Sequence, residues 1–287
     1  MGPIIPGLNE GWVPQGLTYS EKHGLFFISN YSAYEASCIT VIDAGSGKLE
    51  KSLLLLDEDG EIESGHVGGL VVLGDSIFVS SIGRVLQYRL KDALPEKSVD
   101  AISPTKIIPT ETRASFCTTY GDYLIVGEFA RYSMLGKEFP TARNHHTKDR
   151  KGRKKYAWIE ALPVEAITLE PFVLSIRQKV QGASFIGDRI FLSVSYGRKK
   201  ESLLAIYSNP IGDKPHSNAT AADGKRIPLW FIDELNHLVT IKLPPLSEGI
   251  TPYEQELAIL FESGANKFLD GGKKPIDRLV FVDVFSR

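Results

Sequence analysis

Cysteine is almost missing from this chain: Cys38 and Cys117 are the only two among 287 residues. Two are too few for a disulfide framework or a four-cysteine zinc site, and each lies in a strand-like run, so buried free thiols are expected. No uninterrupted apolar run is long enough to span a bilayer. Neither sign of charge dominates: with a formal net charge of −2 there is no global pull toward nucleic acid or membrane, and neither is expected as a partner. Helical periodicity is lacking apart from a short turn at Asp92-Ala93-Leu94. There is no Gly-x-Ser-x-Gly elbow for serine-nucleophile chemistry, and no glycine-rich phosphate loop precedes a helix. Met1-Gly2-Pro3-Ile4-Ile5-Pro6 lacks the basic head and apolar stretch of a secretory signal, so either the protein is cytoplasmic or a leader lies outside this sequence. Asn30-Tyr31-Ser32 and Asn218-Ala219-Thr220 fit the glycosylation tripeptide, a pattern common by chance.

What the chain does have is a repeat. A small residue precedes an apolar or aromatic strand-like run in Pro14-Gln15-Gly16-Leu17-Thr18-Tyr19, His66-Val67-Gly68-Gly69-Leu70, Arg113-Ala114-Ser115-Phe116, Val180-Gln181-Gly182-Ala183-Ser184-Phe185 and Ser247-Glu248-Gly249-Ile250. The spacing of about fifty to seventy residues is that of propeller blades. In the first unit Val13 to Tyr19, Leu25 to Asn30, Cys38 to Asp43 and Leu49 to Leu56 read as a four-stranded meander. Gly74-Asp75, Gly121-Asp122 and Gly187-Asp188 repeat one turn after the first strand of a unit. The expectation is a single all-β domain over residues 1–287, a five-bladed β-propeller of four-stranded antiparallel blades, with six blades if the long fourth unit hides another. The fifth unit is one strand short, so Pro3 to Ile5 should complete it and remove the open edges.

Two segments break the repeat and are expected to be loop excursions. Residues 137–157 are rich in Lys, Arg and His, and residues 208–228 in Asn, Pro, Gly and Asp. The basic segment has few interleaved aromatics and no recognition motif, so a solvated loop is favoured over a nucleic-acid site. His145 and His146 are adjacent and point apart in extended chain, which disfavours chelation by the pair.

In a propeller the innermost strands line a central channel, and glycines let their backbones crowd at the axis. The polar neighbours of the small residues, Gln15, His66, Arg113, Gln181 and Glu248, should therefore surround one opening. The ends of the second strands add Asn30, Ser80 and Ser81, Glu128, Ser193 through Ser195, Tyr196 and Arg198, and Glu262-Ser263. Such a residue is equally what the first solvated position past a core looks like; convergence of many on one axis is the stronger signal. Glu248 and Glu262 read as paired carboxylates, acid and base, with His66 as a further base or as the group holding one of them ionised. Glu248, Glu262, Glu128 and Asn30 are alternatively oxygen donors for calcium, although no ligand spacing is diagnostic and no metal site is assigned.

Pro14-Gln15-Gly16-Leu17-Thr18-Tyr19, Gly65-His66-Val67-Gly68-Gly69, Val180-Gln181-Gly182, Ser195-Tyr196-Gly197-Arg198 and Leu260-Phe261-Glu262-Ser263 together resemble a group of bacterial, often secreted, propeller-like proteins without an assigned activity. More distantly the chain is similar to glutamine cyclotransferases and to gluconolactonase-type propellers that use calcium. Both families place an acidic residue before a glycine in an innermost strand; Glu248-Gly249 matches, whereas the first unit has Gln15-Gly16. The resemblance implies a secreted or periplasmic location, with the cytoplasm as the alternative. Two functions stay open. One is a hydrolase or cyclotransferase acting on a small polar substrate, with Glu248, Glu262 and His66 catalytic and Gln15, Asn30, Ser80, Arg113, Glu128, Gln181, Ser195, Tyr196 and Arg198 holding the ligand. The other is a non-catalytic scaffold for a polysaccharide or protein partner. A monomer is expected.

Overall fold

The second strand of each unit is where the sequence is most continuously apolar, and there the chain is covered on both faces. Every residue of Leu25–Ser32 is buried, and Ser76–Ser81, Arg189–Val194 and Glu256–Phe261 are buried after their first residue. Outer strands such as Leu49–Leu55 are largely solvated instead. The computed structural model describes residues 2–32, 36–133, 136–164 and 169–284, with the side chains of 136–138 excepted.

Five sheets form the blades. Blade 1 comprises Trp12–Ser20, Leu25–Ser32, Cys38–Asp43 and Leu49–Leu55, with Ala101–Ile102 added in parallel outside. Blade 2 comprises Val67–Leu73, Ser76–Ser81, Arg84–Arg89 and Lys106–Pro109. Blade 3 begins Phe116–Tyr120, Tyr123–Gly127, Ala157–Pro163 and Phe172–Ile176. Blade 4 comprises Val180–Ile186, Arg189–Val194, Ser202–Ser208 and His237–Leu243, and blade 5 comprises Ser247–Tyr253, Glu256–Phe261 and Val280–Val282. The innermost strands pack each on the next, from blade 1 round to blade 5 and back to blade 1. The architecture is a five-bladed β-propeller, and the six-blade alternative falls. No helix among the described residues is long and apolar enough to cross a membrane.

Closure follows the expected route. Leu279 N donates to Pro3 O at 2.9 Å and Ile5 N to Asp277 O at 2.8 Å, so the N-terminal segment supplies the missing outer strand of blade 5. At the seam Tyr19 and Phe26 of blade 1 pack against Tyr253 of blade 5, with ring centroids 4.8 and 4.9 Å away. The Gly-Asp turns are two-residue hairpins whose Gly74, Gly121 and Gly187 have φ of 55–57°, a backbone that costs glycine least. Cys38 and Cys117 are both buried, as expected.

Both excursions differ from simple loops. Residues 208–228 contain Ser217–Thr220 and the start of Arg226–Phe231, a hairpin that leaves blade 4 and pairs in parallel with Phe172–Ile176, making blade 3 six-stranded. Residues 137–157 hold most of one short strand, a 3-10 turn at Arg143–His145 and a hairpin of two short strands, Thr147–Lys148 and Lys154–Lys155, and they end at the first residue of a blade 3 strand. This segment is not wholly solvated: His145 is 1% exposed and its ring stacks on Trp158 at 4.1 Å. His146 instead contacts the Tyr132 hydroxyl at 3.0 Å, so the two imidazoles do diverge.

Candidate active site

Four of the five innermost strands carry a β-bulge at their glycines, joined by a polar residue in three of them. Gln15 is the extra residue between the pairs Pro14–Asn30 and Gly16–Ser29, and Gln181 between Val180–Val194 and Gly182–Ser193. Gly68 and Gly69, and likewise Glu248 and Gly249, each oppose one residue of the second strand. Blade 3 pairs without a shift. A bulge re-aims one side chain while the strand continues, and here it turns residues at the axis toward one mouth. The glycines permit the crowding: a Cβ on Gly16 would meet Leu70 N at 2.5 Å, and one on Gly249 would meet Leu17 N at 2.6 Å.

Serines of the second strands hold these bulges. Ser29 Oγ accepts from Gly16 N at 3.0 Å and donates to Gly68 O at 2.5 Å, and Ser80 Oγ donates to Gly69 O at 3.0 Å. Ser195 Oγ accepts from Ser202 Oγ at 2.8 Å. Ser80 and Ser195, expected to hold ligand, are thus buried in the frame, away from the cavity walls. Asn30 is also inside, donating to Ile28 O at 3.1 Å and Thr40 Oγ1 at 3.3 Å. Burial removes it as a glycosylation acceptor.

The mouth is a cavity of about 510 Å³ whose lining includes Gln15, His66, Arg113, Gln181, Tyr196, Arg198 and Glu262, seven of the expected residues. Its walls have a rule that sequence reasoning missed. Tyr31, Ile82, Phe129, Ser195 and Glu262 each stand six residues after the first residue of their second strand, which are Leu25, Ser76, Tyr123, Arg189 and Glu256. Four of the five line the cavity; in blade 4 the neighbouring Tyr196 does so in place of Ser195. The preceding residues, Asn30, Ser81, Glu128, Val194 and Phe261, point to the other face and are all buried. Counting from the hairpin would have found Tyr31, Ile82 and Phe129. No such count reaches Phe139 or Phe268, which come from a short strand outside the blades, Gly136–Phe139, and a one-turn helix, Asn266–Leu269, and also line the cavity.

Glu248 and Glu262 meet at the inner end of the mouth. Glu248 is 2% exposed and lies behind the wall, while Glu262 lines the cavity at 7% exposure. Their carboxyls are within hydrogen-bonding reach of each other, a contact that needs a proton between them. Gln181 Nε2 donates to Glu248 Oε1 at 2.8 Å and Gln15 Nε2 to Glu262 Oε2 at 3.2 Å, so each bulge glutamine holds one member. Burial, and then the charge of Glu262, raises Glu248 well above the usual carboxyl range. Burial pushes Glu262 up to about 7, against the hydrogen bonds from Gln15 and Glu248 and the charges of Lys267 and Arg198.

Around the pair, Lys267 Nζ donates to the Tyr31 hydroxyl at 2.6 Å. Burial, with the charges of Glu262 and Glu248, holds that phenol above its ordinary value. His66 stacks on Tyr31 at 3.9 Å, and desolvation in the concave mouth pushes its imidazole down, with Lys267 adding to the effect. No hydrogen bond between His66 and either glutamate is found among the described residues, so it shares the cavity without holding the pair. Arg131 lies 3.7 Å from the Tyr196 ring centroid and donates to its hydroxyl.

Glu128 is elsewhere. It is wholly buried and accepts from His145 Nδ1 at 2.7 Å, Trp158 N at 3.0 Å and Arg113 N at 3.4 Å. Asn30 and Glu128 therefore do not join Glu248 and Glu262 in an oxygen cage. No cluster of three or more His, Cys, Asp or Glu side chains suited to a metal occurs among the described residues. The donor set does not fit calcium as the sequence suggested.

No protein-family model matches the chain, and no curated protein matches its sequence. Solved structures are similar in fold. The PQQ-bound aldose sugar dehydrogenase of Streptomyces coelicolor aligns over 98% of this chain and 96% of that one, at 13% identity and a TM-score of 0.53. A GH43 β-xylosidase/α-arabinofuranosidase from a compost microbial metagenome, in complex with xylotriose, aligns over 99% and 94%, at 9% identity and a TM-score of 0.52. The glutaminyl cyclase of Myxococcus xanthus aligns over 96% and 91%, at 9% identity and a TM-score of 0.48. The chain has the propeller fold. Identities of this size carry nothing finer.

Proposed function

We propose that this propeller is an acid-base enzyme, a hydrolase or cyclotransferase of a small polar substrate, with Glu262 as the proton-transferring group. The observation that carries it is the contact between Glu248 and Glu262 at the wall of the cavity, each steadied by a bulge glutamine. A carboxyl raised to about 7 is close to half ionised at neutral pH, where a single group best both takes and returns a proton. Glu262 accepts a proton from the attacking water or amine as its oxygen or nitrogen bonds to the substrate carbonyl carbon. The same proton then passes to the leaving group as the old bond breaks. Glu248, out of reach of the cavity, keeps its own proton and donates it as a hydrogen bond to ionised Glu262. The contact also argues against a two-carboxylate glycosidase, whose carboxyls stand about 5–9.5 Å apart across the scissile bond.

Lactones, esters and N-terminal glutamine peptides are the substrates to assay. Turnover should rise with pH through about 7 as Glu262 ionises, and Glu262→Gln should lower kcat by about 10²–10⁴-fold in a folded protein. Turnover that survives this substitution, or a Glu262 that titrates in the ordinary carboxyl range, would sink the proposal.

A further inference from the structure

We propose that the cavity takes an organic anion with an apolar body, its oxyanion held by Arg113 and Arg198. This rests on the acid-base reading, because it names the substrate class of the same site. Arg113 Nη1 donates to Pro140 O at 3.2 Å and Arg198 Nη1 to Asp270 O at 3.0 Å, so each guanidinium is steadied by a backbone carbonyl. Neither forms an ion pair with a carboxylate among the described residues, although both line the cavity. A planar guanidinium keeps its remaining donors in a fork that matches a carboxylate. Arg198 also sits 5.1 Å over the Phe268 ring, which sets its direction, and its charge reaches Glu262. In a chain of net charge −2, this local excess of cation is a recognition feature for an anion.

The walls describe the rest of the ligand. Ile82 is 66% exposed and Phe139 40% exposed, both on the cavity lining, where large apolar side chains lack cover in the free protein. Ile82 has φ of 35°, and Ala114 and Leu246, also on the lining, have φ of 46° and 66°. These are backbone conformations that side-chain-bearing residues avoid, and such strain gathers at ligand sites. An apolar body against Ile82 and Phe139, with its anionic end toward Arg198, brings an adjoining carbonyl near Glu262.

The test compares 3-phenylpropionate with its amide, 3-phenylpropionamide, by calorimetric titration of the full chain at low salt and mildly acid pH. The carboxylate should bind at least about tenfold tighter than the amide, and high salt should narrow that difference. Arg113→Gln and Arg198→Gln, both at exposed side chains, should each weaken carboxylate binding severalfold without moving the unfolding midpoint, and leave the amide unaffected. Equal binding of acid and amide, binding of neither, or carboxylate affinity indifferent to both substitutions overturns the proposal. Glu262→Gln should bind 3-phenylpropionate at least as tightly as the parent. The acid-base reading stands or falls separately, on the titration of Glu262 itself.

Discussion

Glu128 in blade 3 and Glu262 in blade 5 both end a second strand, and one residue of register separates their fates. Glu128 is five residues beyond Tyr123, whereas Glu262 is six beyond Glu256. Because side chains alternate across a strand, the first turns away from the axis and the second toward it. Glu128 meets three donors, from His145, Trp158 and Arg113, and its oxygens are spent on the frame. Glu262 meets one amide, a second carboxyl and a cavity, and its proton becomes hard to remove. Donors that complete a buried carboxylate make it structural; burial that outweighs the few donors around it makes it reactive.

The largest effect should come from breaking the structural member. Glu128→Ala leaves two buried donors, His145 Nδ1 and Trp158 N, and the half-buried Arg113 N without an acceptor and opens a void at a wholly buried site, a loss of about 3–5 kcal/mol. Urea unfolding at neutral pH measures it, and a loss below about 1 kcal/mol would mean that Glu128 is not what ties residues 137–157 to blade 3.

The reactive member should respond with the opposite sign. Glu262 is raised from 4.5 to about 7, so the folded protein binds its proton more tightly than the unfolded chain. The contribution of Glu262 to stability is then greatest below about pH 4.5 and falls as pH rises from there through 7, by about 3 kcal/mol once both forms are ionised. Glu262→Gln removes that fall. The variant should match the parent near pH 4 and exceed it by roughly 3 kcal/mol near pH 8. A variant less stable than the parent at both pH values would show that ionised Glu262 is well solvated in its cavity.

Glu248→Gln separates the partners. An amide at 248 still accepts from Gln181 and still donates to Glu262, as the neutral acid does. The transition of Glu262 near 7 should persist. The loss of stability that comes from taking the proton off Glu248, which begins above its unfolded-state value near 4.5 and continues beyond the Glu262 transition, should disappear. Stability against pH resolves the two limbs. Return of Glu262 to the ordinary carboxyl range in this variant would mean that the charge of Glu248, rather than burial, raises it.

The repeat made the blade count and closure legible, because glycine at the axis and Gly-Asp at the hairpins are demanded by backbone geometry at fixed offsets. The bulge residues Gln15, Gln181 and Glu248 were legible for the same reason. Parity at the ends of the second strands was not. Asn30 and Glu128 stand out by polarity but face away, and Ser80, on the channel side by parity, is spent on Gly69 O, while the channel face at the first three blades carries Tyr31, Ile82 and Phe129. Residues 137–157 misled through composition: Lys and Arg dominate, yet the decisive contact is one His145 reaching a Glu128 that is distant in sequence. Long-range pairing of that kind leaves no periodic trace.

Tyr31 occupies in blade 1 the register address that Glu262 holds in blade 5, and it offers the finest test of the comparison. Its hydroxyl accepts from Lys267 at 2.6 Å, and its pKa is raised in part by both glutamates. Tyr31→Phe keeps the ring under His66 and removes only the oxygen, leaving the Lys267 ammonium without that acceptor. Lys267 already holds Glu262 down, so an ammonium freed from the phenol and turned toward the carboxyls should lower Glu262 further and shift the fall in stability to lower pH. The change at neutral pH should be about 0.5–1 kcal/mol, read from paired unfolding curves on either side of the transition. An unshifted transition would mean that Lys267 releases its charge to solvent, and that the address in blade 1 contributes shape to the mouth but no field.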